Sequence, residues 1–181
     1  MVIIAGVDEV GRGCLAGPVT AAAVILNNPI LELKDSKQIS PSKREILSRN
    51  IKEQSIFSLA SVSNHKIDQI NIHQATLLAM QKAIINLPIT PDLVYVDGKF
   101  IPNVELNCKA VIGGDQLIPE ISAASIIAKV HRDAFMTKLD HRYPIYAFAK
   151  NKGYGTAHHL NALKESGYTP FHRKSFKGVI V

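Results

Sequence analysis

Four carboxylates fall where a folded chain gathers chemistry. Asp8 and Glu9 lie at the end of a short β-branched run (VIIAGVD, residues 2–8), Asp97 closes another (LVYVD, 93–97), and Asp115 follows the Gly113-Gly114 turn after a third (CKAVI, 108–112). Such runs read as strands, and α/β sheets collect ligand sites at the carboxyl ends of their strands. Carboxylates drawn together repel, so a cluster persists only with something cationic between them. Hard divalent cations take oxygen ligands, and Mg²⁺ combines a few carboxylates with substrate phosphates. Two such ions about 4 Å apart form the clamp for in-line phosphodiester hydrolysis.

Each acid also has a plainer explanation. Asp and Gly are common turn residues after strands, and Asp97-Gly98 alone reads more readily as a turn. Adjacent strand residues point to opposite faces, so Asp8 and Glu9 share a site only if the chain ends or bends there; Gly11 and Gly13 supply a bend. The segment GRGCLA also fits the dinucleotide pattern G-x-G-x-x-[GA]. A strand-like run follows it where that fingerprint needs a helix, and two acids just upstream would repel a pyrophosphate.

The elements that must position these residues follow from punctuation and period. Residues 19–26 (VTAAAVIL) read as a second strand. Ser40-Pro41 starts a helix, with Ser as N-cap and Pro at the first helical position, running to about Gln54. Residues 56–62 are a third strand, and Ser63 or Asn64 caps a short helical turn. A longer helix covers roughly 72–86, with Leu77, Met80, Ala83 and Ile84 on one face, ended by Pro88 and Pro91. Residues 119–140 carry helical spacing through Ile121, Ala124, Ser125, Ala128 and Phe135, up to Tyr143-Pro144. Thr156 caps a last helix that Gly167 stops, and the tail from Tyr168 is irregular and basic. The first two strands are joined by too short a turn to be parallel, which predicts an α/β fold with a mixed sheet flanked by helices and a helical C-terminal portion.

Composition narrows the function classes. The 181 residues are 46% hydrophobic and 20% charged, with a mean hydropathy of +0.08, which excludes a disordered tail, a collagen-like chain and a coiled coil. The length predicts one domain over residues 1–181. The longest apolar run, Val19 to Leu26, is far short of the roughly 20 residues of a membrane span, so no membrane partner is expected. No basic n-region precedes the first run, which argues against a signal peptide. Two cysteines, Cys14 and Cys108, make no disulfide framework, and a reduced, cytoplasmic protein is expected. A net charge of +6 and a pI near 9.3 favour anionic partners such as nucleic acid.

The phrase AGVDEVGRGCLAGPVTAAAVIL closely resembles the opening of bacterial ribonuclease HII. Further segments agree in order: DSK at Asp35–Lys37, VDG at Asp97, GGD ending at Asp115, ISAASIIAKVHRD from Ile121, NKGYGT around Tyr154, and HRKSF near the end. The resemblance implies a ribonuclease H-like fold and cleavage of RNA in RNA–DNA hybrids and 5′ of a single ribonucleotide embedded in duplex DNA. It implies that Asp8, Glu9, Asp97 and Asp115 are the acidic active-site residues holding Mg²⁺ or Mn²⁺, with 5′-phosphate and 3′-hydroxyl products. It assigns Gly11-Arg12-Gly13 to the ribose 2′-hydroxyl at the RNA–DNA junction; glycines let backbone amides approach the sugar, and that hydroxyl separates RNA from DNA. It assigns Tyr154 to stacking on the following deoxyribose. Lys37, Lys129 and Arg173 are expected phosphate contacts, by charge as well as position.

Some positions depart from the family pattern. Gly113 stands where Lys often precedes Gly-Asp, and Cys14 and Gly155 stand where proline is frequent. Cys14 reads as a packed small residue, because hard ions avoid thiolates. The sister ribonuclease HIII carries a different glycine motif and an extra N-terminal domain, whereas this sequence begins at the first strand. His158-His159 reads as a surface or phosphate-facing pair, and Asp133 as a helix-surface or ion-pair acid. Lys129 reads equally as a partner of the acidic cluster or of a phosphate. Met80, Phe135 and Phe148 are core candidates. A monomer is expected, and Ser175–Val181 contains no clear sliding-clamp motif. The alternative from a different class is a catalytically silent nucleic-acid-binding module of the same fold.

Overall fold

The computed structural model describes residues 2–30, 33 and 40–180. Five strands form one mixed sheet in the order β3-β2-β1-β4-β5, where β1 is Ile4–Val10, β2 Val19–Leu26, β3 Ser55–Val62, β4 Leu93–Asp97 and β5 Cys108–Val111. β1 is central. It runs antiparallel to β2 and parallel to β4, and β4 is parallel to β5. The first strand therefore extends two residues beyond its expected end, carrying Asp8 and Glu9 inside the β1–β2 ladder. Val10 still pairs with Thr20 there.

Side chains of the central strands alternate between two helical layers. Ala5, Val7, Ala21, Ala23, Val94 and Val96 pack on α2 (Asn64–Ile85). Ala22 and Val24 face the other way, onto α1 (Pro41–Gln54) and α4 (Pro119–Arg142). Asp8 shares the α4 face, since Asp8 pairs with Ala22 and Gly6 with Val24. Ala123, Ala124 and Ala128 give α4 a slim buried side. Gly6 brings the start of α4 closer still: a Cβ there would lie 2.1 Å from the Glu120 carbonyl carbon. Close approach at Gly6 sets α4 directly over Asp8.

The helices start where the sequence predicts. The Ser40 hydroxyl accepts from the Lys43 amide, Ser63 from Lys66, and Thr156 from His159 at the head of α6 (Ala157–Ser166), each satisfying an orphan N–H. α2 is one element interrupted at Asn71, whose φ of 65° breaks the helix. The Asn71 side chain then caps the second half through Gln74. Two four-residue helices, α3 (Gly114–Leu117) and α5 (Phe148–Asn151), have no counterpart in the sequence reading. A separate cluster of Leu15, Ala16, Met136, Leu139, Tyr146, Phe148 and Leu163 ties the C-terminal portion to the loop after β1. Met80 and Phe148 are core residues as expected; Phe135 is not, being partly exposed at the far end of α4.

Candidate active site

Parallel pairing of β1 with β4 brings the first carboxylates together. Val7 is level with Val96, so the next step of the register sets Asp8 beside Asp97. Asp8 is buried. Its Oδ1 accepts from the Glu9 amide at 2.7 Å, and the Ser125 side chain on α4 also bonds to it. Burial, then the nearby charges of Glu9 and Asp97, push the Asp8 carboxyl well above the usual range. Adjacent strand positions thus do share one site, although the strand has not ended.

Glu9 is anchored at one oxygen. Its Oε1 lies 3.2 Å from Arg12 Nη1, while Oε2 is buried with no hydrogen-bond partner among the described residues. Asp97 is held by the turn after β5: its Oδ1 accepts from the Gly114 amide at 2.7 Å. Asp115 is the next residue, in the first turn of α3. It lines a cavity of about 370 Å³ with Ile30, Leu33, Pro119 and Ser122. The fold therefore brings Asp8, Glu9 and Asp97 together and stands Asp115 beside them on the element that holds Asp97.

Among the described residues, no three His, Cys, Asp or Glu side chains stand close enough together to hold a metal ion as they are placed. The donor set nonetheless fits a hard divalent cation. All four acids offer oxygen alone, Asp8 resists ionisation beside two other carboxylates, and the buried Glu9 Oε2 is an orphaned acceptor. A cation would satisfy all three conditions at once.

The rim of the site is built on two buried arginines. Arg132 on α4 donates to the carbonyls of Pro18 (2.8 Å), Lys152 (2.8 Å) and Ala16 (3.0 Å). Arg173 donates to Gly17 (3.0 Å), Arg12 (2.8 Å) and Gly11 (2.6 Å). Five carbonyls of the 11–18 loop are thus satisfied by two guanidinium groups. Gly11, at φ +92°, has room for no side chain: a Cβ would lie 2.1 Å from Arg132 Nε. Residues 171–173 also pair with 15–17, through the Ala16–His172 bridge and the bonds Gly17 N–H to Phe171 O and Arg173 N–H to Leu15 O. Arg173 is wholly buried, and burial lowers its guanidinium to about 10. That placement corrects the expectation of a phosphate contact: Arg173 positions the glycine loop from behind.

Tyr154 stands across from that loop. The residue is 43% exposed, with its ring Cε1 3.8 Å from where a Gly13 side chain would begin. Burial, then the Cys14 thiol it contacts, raises its phenol above the usual value. Cys14 itself is buried, as expected of a packed residue. Lys129 pairs with Asp133 at 2.9 Å rather than with the acidic cluster, and Asp133 is an ion-pair acid. Lys37, with the rest of DSK, lies outside the described residues. His159 is buried, against its expected surface place, while His158 is exposed.

A cleft of about 810 Å³ opens beside this rim, between α1, α4 and α5. Arg44, Arg49, Lys52, Lys129, Lys138, Lys150 and Lys152 line it, against two acids, Glu45 and Asp133. Those charges amount to five of the chain's six net positive charges. Lys129 is one helical turn from the Ser125 that bonds Asp8, and Lys152 is two residues from Tyr154. The sequence hinted at basicity but not at its concentration in one groove.

Comparison with known proteins identifies the family. A family model described as Ribonuclease HII matches residues 5–179. The chain is 52% identical to a ribonuclease HII of Borreliella burgdorferi, covering 97% of this chain and 99% of that protein. It is 53% identical to one of Pelagibacter ubique, covering 99% and 98%. Among solved structures, ribonuclease H2 from Pyrococcus horikoshii OT3 superposes with a TM-score of 0.85 at 26% identity, over 98% of this chain and 95% of that one. The ribonuclease HII in a PCNA complex from Archaeoglobus fulgidus gives 0.83 at 28%, over 97% and 96%. Bst-RNase HIII in complex with Mn²⁺ shares the fold alone, at 18% identity and a TM-score of 0.75, over 98% of this chain and 68% of that one. Matched over nearly its whole length and built on a ribonuclease H-like sheet, the chain belongs to the ribonuclease HII family and is an endoribonuclease of the ribonuclease H type.

Proposed function

We propose that residues 1–181 form one catalytic domain that hydrolyses the RNA strand of RNA–DNA hybrids and cuts duplex DNA 5′ of a single embedded ribonucleotide. The observation that carries this reading is the juxtaposition of the Asp8–Glu9–Asp97 cluster with a rim made of Gly11-Arg12-Gly13 on one side and the Tyr154 ring on the other. Asp8, Glu9, Asp97 and Asp115 would hold Mg²⁺ or Mn²⁺. Two bound ions supply the Lewis acidity for in-line hydrolysis, in which water adds to phosphorus and the bond to the 3′ oxygen breaks, leaving a 5′-phosphate and a 3′-hydroxyl.

The chain's own residues supply the selection. Ser125 and the Glu9 amide orient Asp8, and the Gly114 amide orients Asp97. Gly11, Arg12 and Gly13 present backbone at close range to a ribose 2′-hydroxyl, with Arg132 and Arg173 fixing their carbonyls from inside. Tyr154 offers a ring face to the following deoxyribose, where a second 2′-hydroxyl would be excluded. The basic cleft continues from this rim and suits the duplex phosphate backbone; phosphate contacts set register and affinity rather than sequence.

Replacing Asp97 by Asn tests the reading together with metal removal. Wild-type protein should cut a ribonucleotide-containing duplex with Mg²⁺ or Mn²⁺ and not with a chelator. Asp97→Asn should lose at least about 10³-fold in rate while still binding the duplex. Retained cleavage in the variant, or binding without cleavage in the wild type under any metal, would contradict the proposal.

A further inference from the structure

Behind the rim, two buried histidines meet. His159 on α6 and His172 lie Nε2 to Nε2 at 2.9 Å. The outer ends of the pair decide where the protons sit. His172 Nδ1 is 2.9 Å from the Thr169 backbone nitrogen, which can only donate, so Nδ1 carries a lone pair. The neutral ring then has its proton on Nε2 and gives it to His159. His159 accepts at Nε2, which leaves its own proton on Nδ1, 2.8 Å from the Tyr154 carbonyl oxygen. One arrangement satisfies all three bonds. It is a directed chain from the Thr169 N–H through both rings to the Tyr154 carbonyl, with each imidazole neutral and locked in one tautomer.

The surroundings hold the chain in place. Tyr146 and Phe148 flank His172 at 4.9 and 5.6 Å between ring centroids, and Phe148 meets His159 edge-on at 5.4 Å. The Asn64 side chain fixes the His172 carbonyl at 3.0 Å. The next residue is Arg173, whose guanidinium grips the Gly11 and Arg12 carbonyls. Two consecutive residues therefore reach opposite sides of one small gap.

We propose that the His172-Arg173 dipeptide sets the spacing of the junction-reading site: His172, through His159, fixes Tyr154, and Arg173 fixes the glycine loop that faces it. The claim rests on the junction reading of Tyr154 and Gly11–Gly13. His159 and His172 are positioning residues; neither touches substrate. A shift of a fraction of an ångström at Tyr154 would open the gap that excludes a second 2′-hydroxyl, so the loss should fall on selectivity before rate.

The test uses the full chain, labelled with ¹⁵N, and the variant His172→Asn. The Asn side-chain oxygen can replace Nδ1 as acceptor for Thr169 but cannot reach His159. Wild-type protein should show nitrogen–nitrogen coupling across the His159–His172 bond, and the variant none. In the variant the Tyr154 and Gly155 amide resonances should move. The kcat/KM preference for a single-ribonucleotide duplex over a uniform hybrid should fall about fivefold or more, with uniform-hybrid cleavage within about twofold of wild type. His159→Gln cuts the chain at its other end, keeping an acceptor for His172 while losing the Tyr154 carbonyl, and should give the same loss; it also serves if His172→Asn does not fold.

Absence of the coupling in wild type would overturn the bond chain. Coupling with an unchanged Tyr154 and an unchanged preference in the variants would overturn the positioning role. Wild-type protein that cuts neither substrate would overturn the junction reading and the selectivity claim with it, while the coupling and amide resonances still decide the bond chain.

Discussion

Asp8 is the residue on which stability and activity pull apart. Its carboxyl is held well above the ordinary value of 3.8 by burial and by Glu9 and Asp97. A raised folded-state value means that the protonated form is the favoured one; its stabilisation is present below the unfolded value and is lost as the pH rises. At neutral pH without metal, ionised Asp8 is therefore a net cost. Asp8→Asn should melt higher than wild type in chelator, by about 1–2 kcal/mol of stability, and should not cleave. A variant that melts lower would contradict the charge argument, and added Mg²⁺ should raise the melting temperature of wild type more than that of the variant. The acids themselves were legible in the sequence, because carboxylates after apolar runs followed by glycine are visible as pattern. Arg132 and Arg173 were not legible as loop clamps. Their partners are backbone carbonyls, which leave no trace in residue types, and a buried arginine has the same letter as a surface one.

At the scale of elements, α4 organises the site. It lies on β1 at Gly6, bonds Asp8 through Ser125, and carries Arg132 into the 11–18 loop. Gly6→Ala should lower stability by about 3 kcal/mol or more in urea unfolding, because backbone on both sides would have to move. Arg132→Met keeps side-chain bulk but strands three carbonyls, and a loss of about 3 kcal/mol or more is expected, with the cleavage rate falling alongside. The C-terminal segment carries a second pH dependence, opposite in sign to that of Asp8. Burial and His159 lower His172 from 6.5 to about 4. The unfolded chain therefore binds more protons between those values, and stability should be full above about 6.5 and decline as the pH falls towards 4. His172→Asn should flatten that part of the stability profile; an unchanged slope would contradict it. Most elements were legible: β2, α1 and β4 have the bounds their punctuation predicts. α3 and α5 were missed because each is a single turn, too short for any period to appear. The interruption of α2 at Asn71 falls where the sequence passes from a short turn capped at Ser63 or Asn64 to a longer helix from about residue 72; only the positive φ that makes it was not visible.

For the whole molecule, the charge distribution matters more than the net charge. Five of six net charges gather in the cleft beside the rim, while the reacting centre is acidic. The surface attracts a polyanion, and the acidic centre admits it only together with cations. Arg49, Lys138 and Lys150 are exposed on the cleft. Replacing each with Ala should weaken duplex binding evenly across sequences and reduce the slope of log affinity against log salt by about one per residue. A sequence-selective loss, or an unchanged slope, would place the duplex elsewhere. The groove itself was invisible in the sequence, since its cations come from three segments, 44–52, 129–138 and 150–152, that only the fold brings together. Among the described residues no helix is long and apolar enough to cross a membrane. The most direct measurement is the cut site on a labelled DNA duplex carrying one ribonucleotide, beside an all-DNA control, with Mg²⁺, Mn²⁺ or chelator. One metal-dependent cut, on the 5′ side of the ribonucleotide, is expected, and none in the control. Cleavage of long hybrids alone, with the single ribonucleotide left intact, would contradict the junction-reading role of Gly11-Arg12-Gly13 and Tyr154.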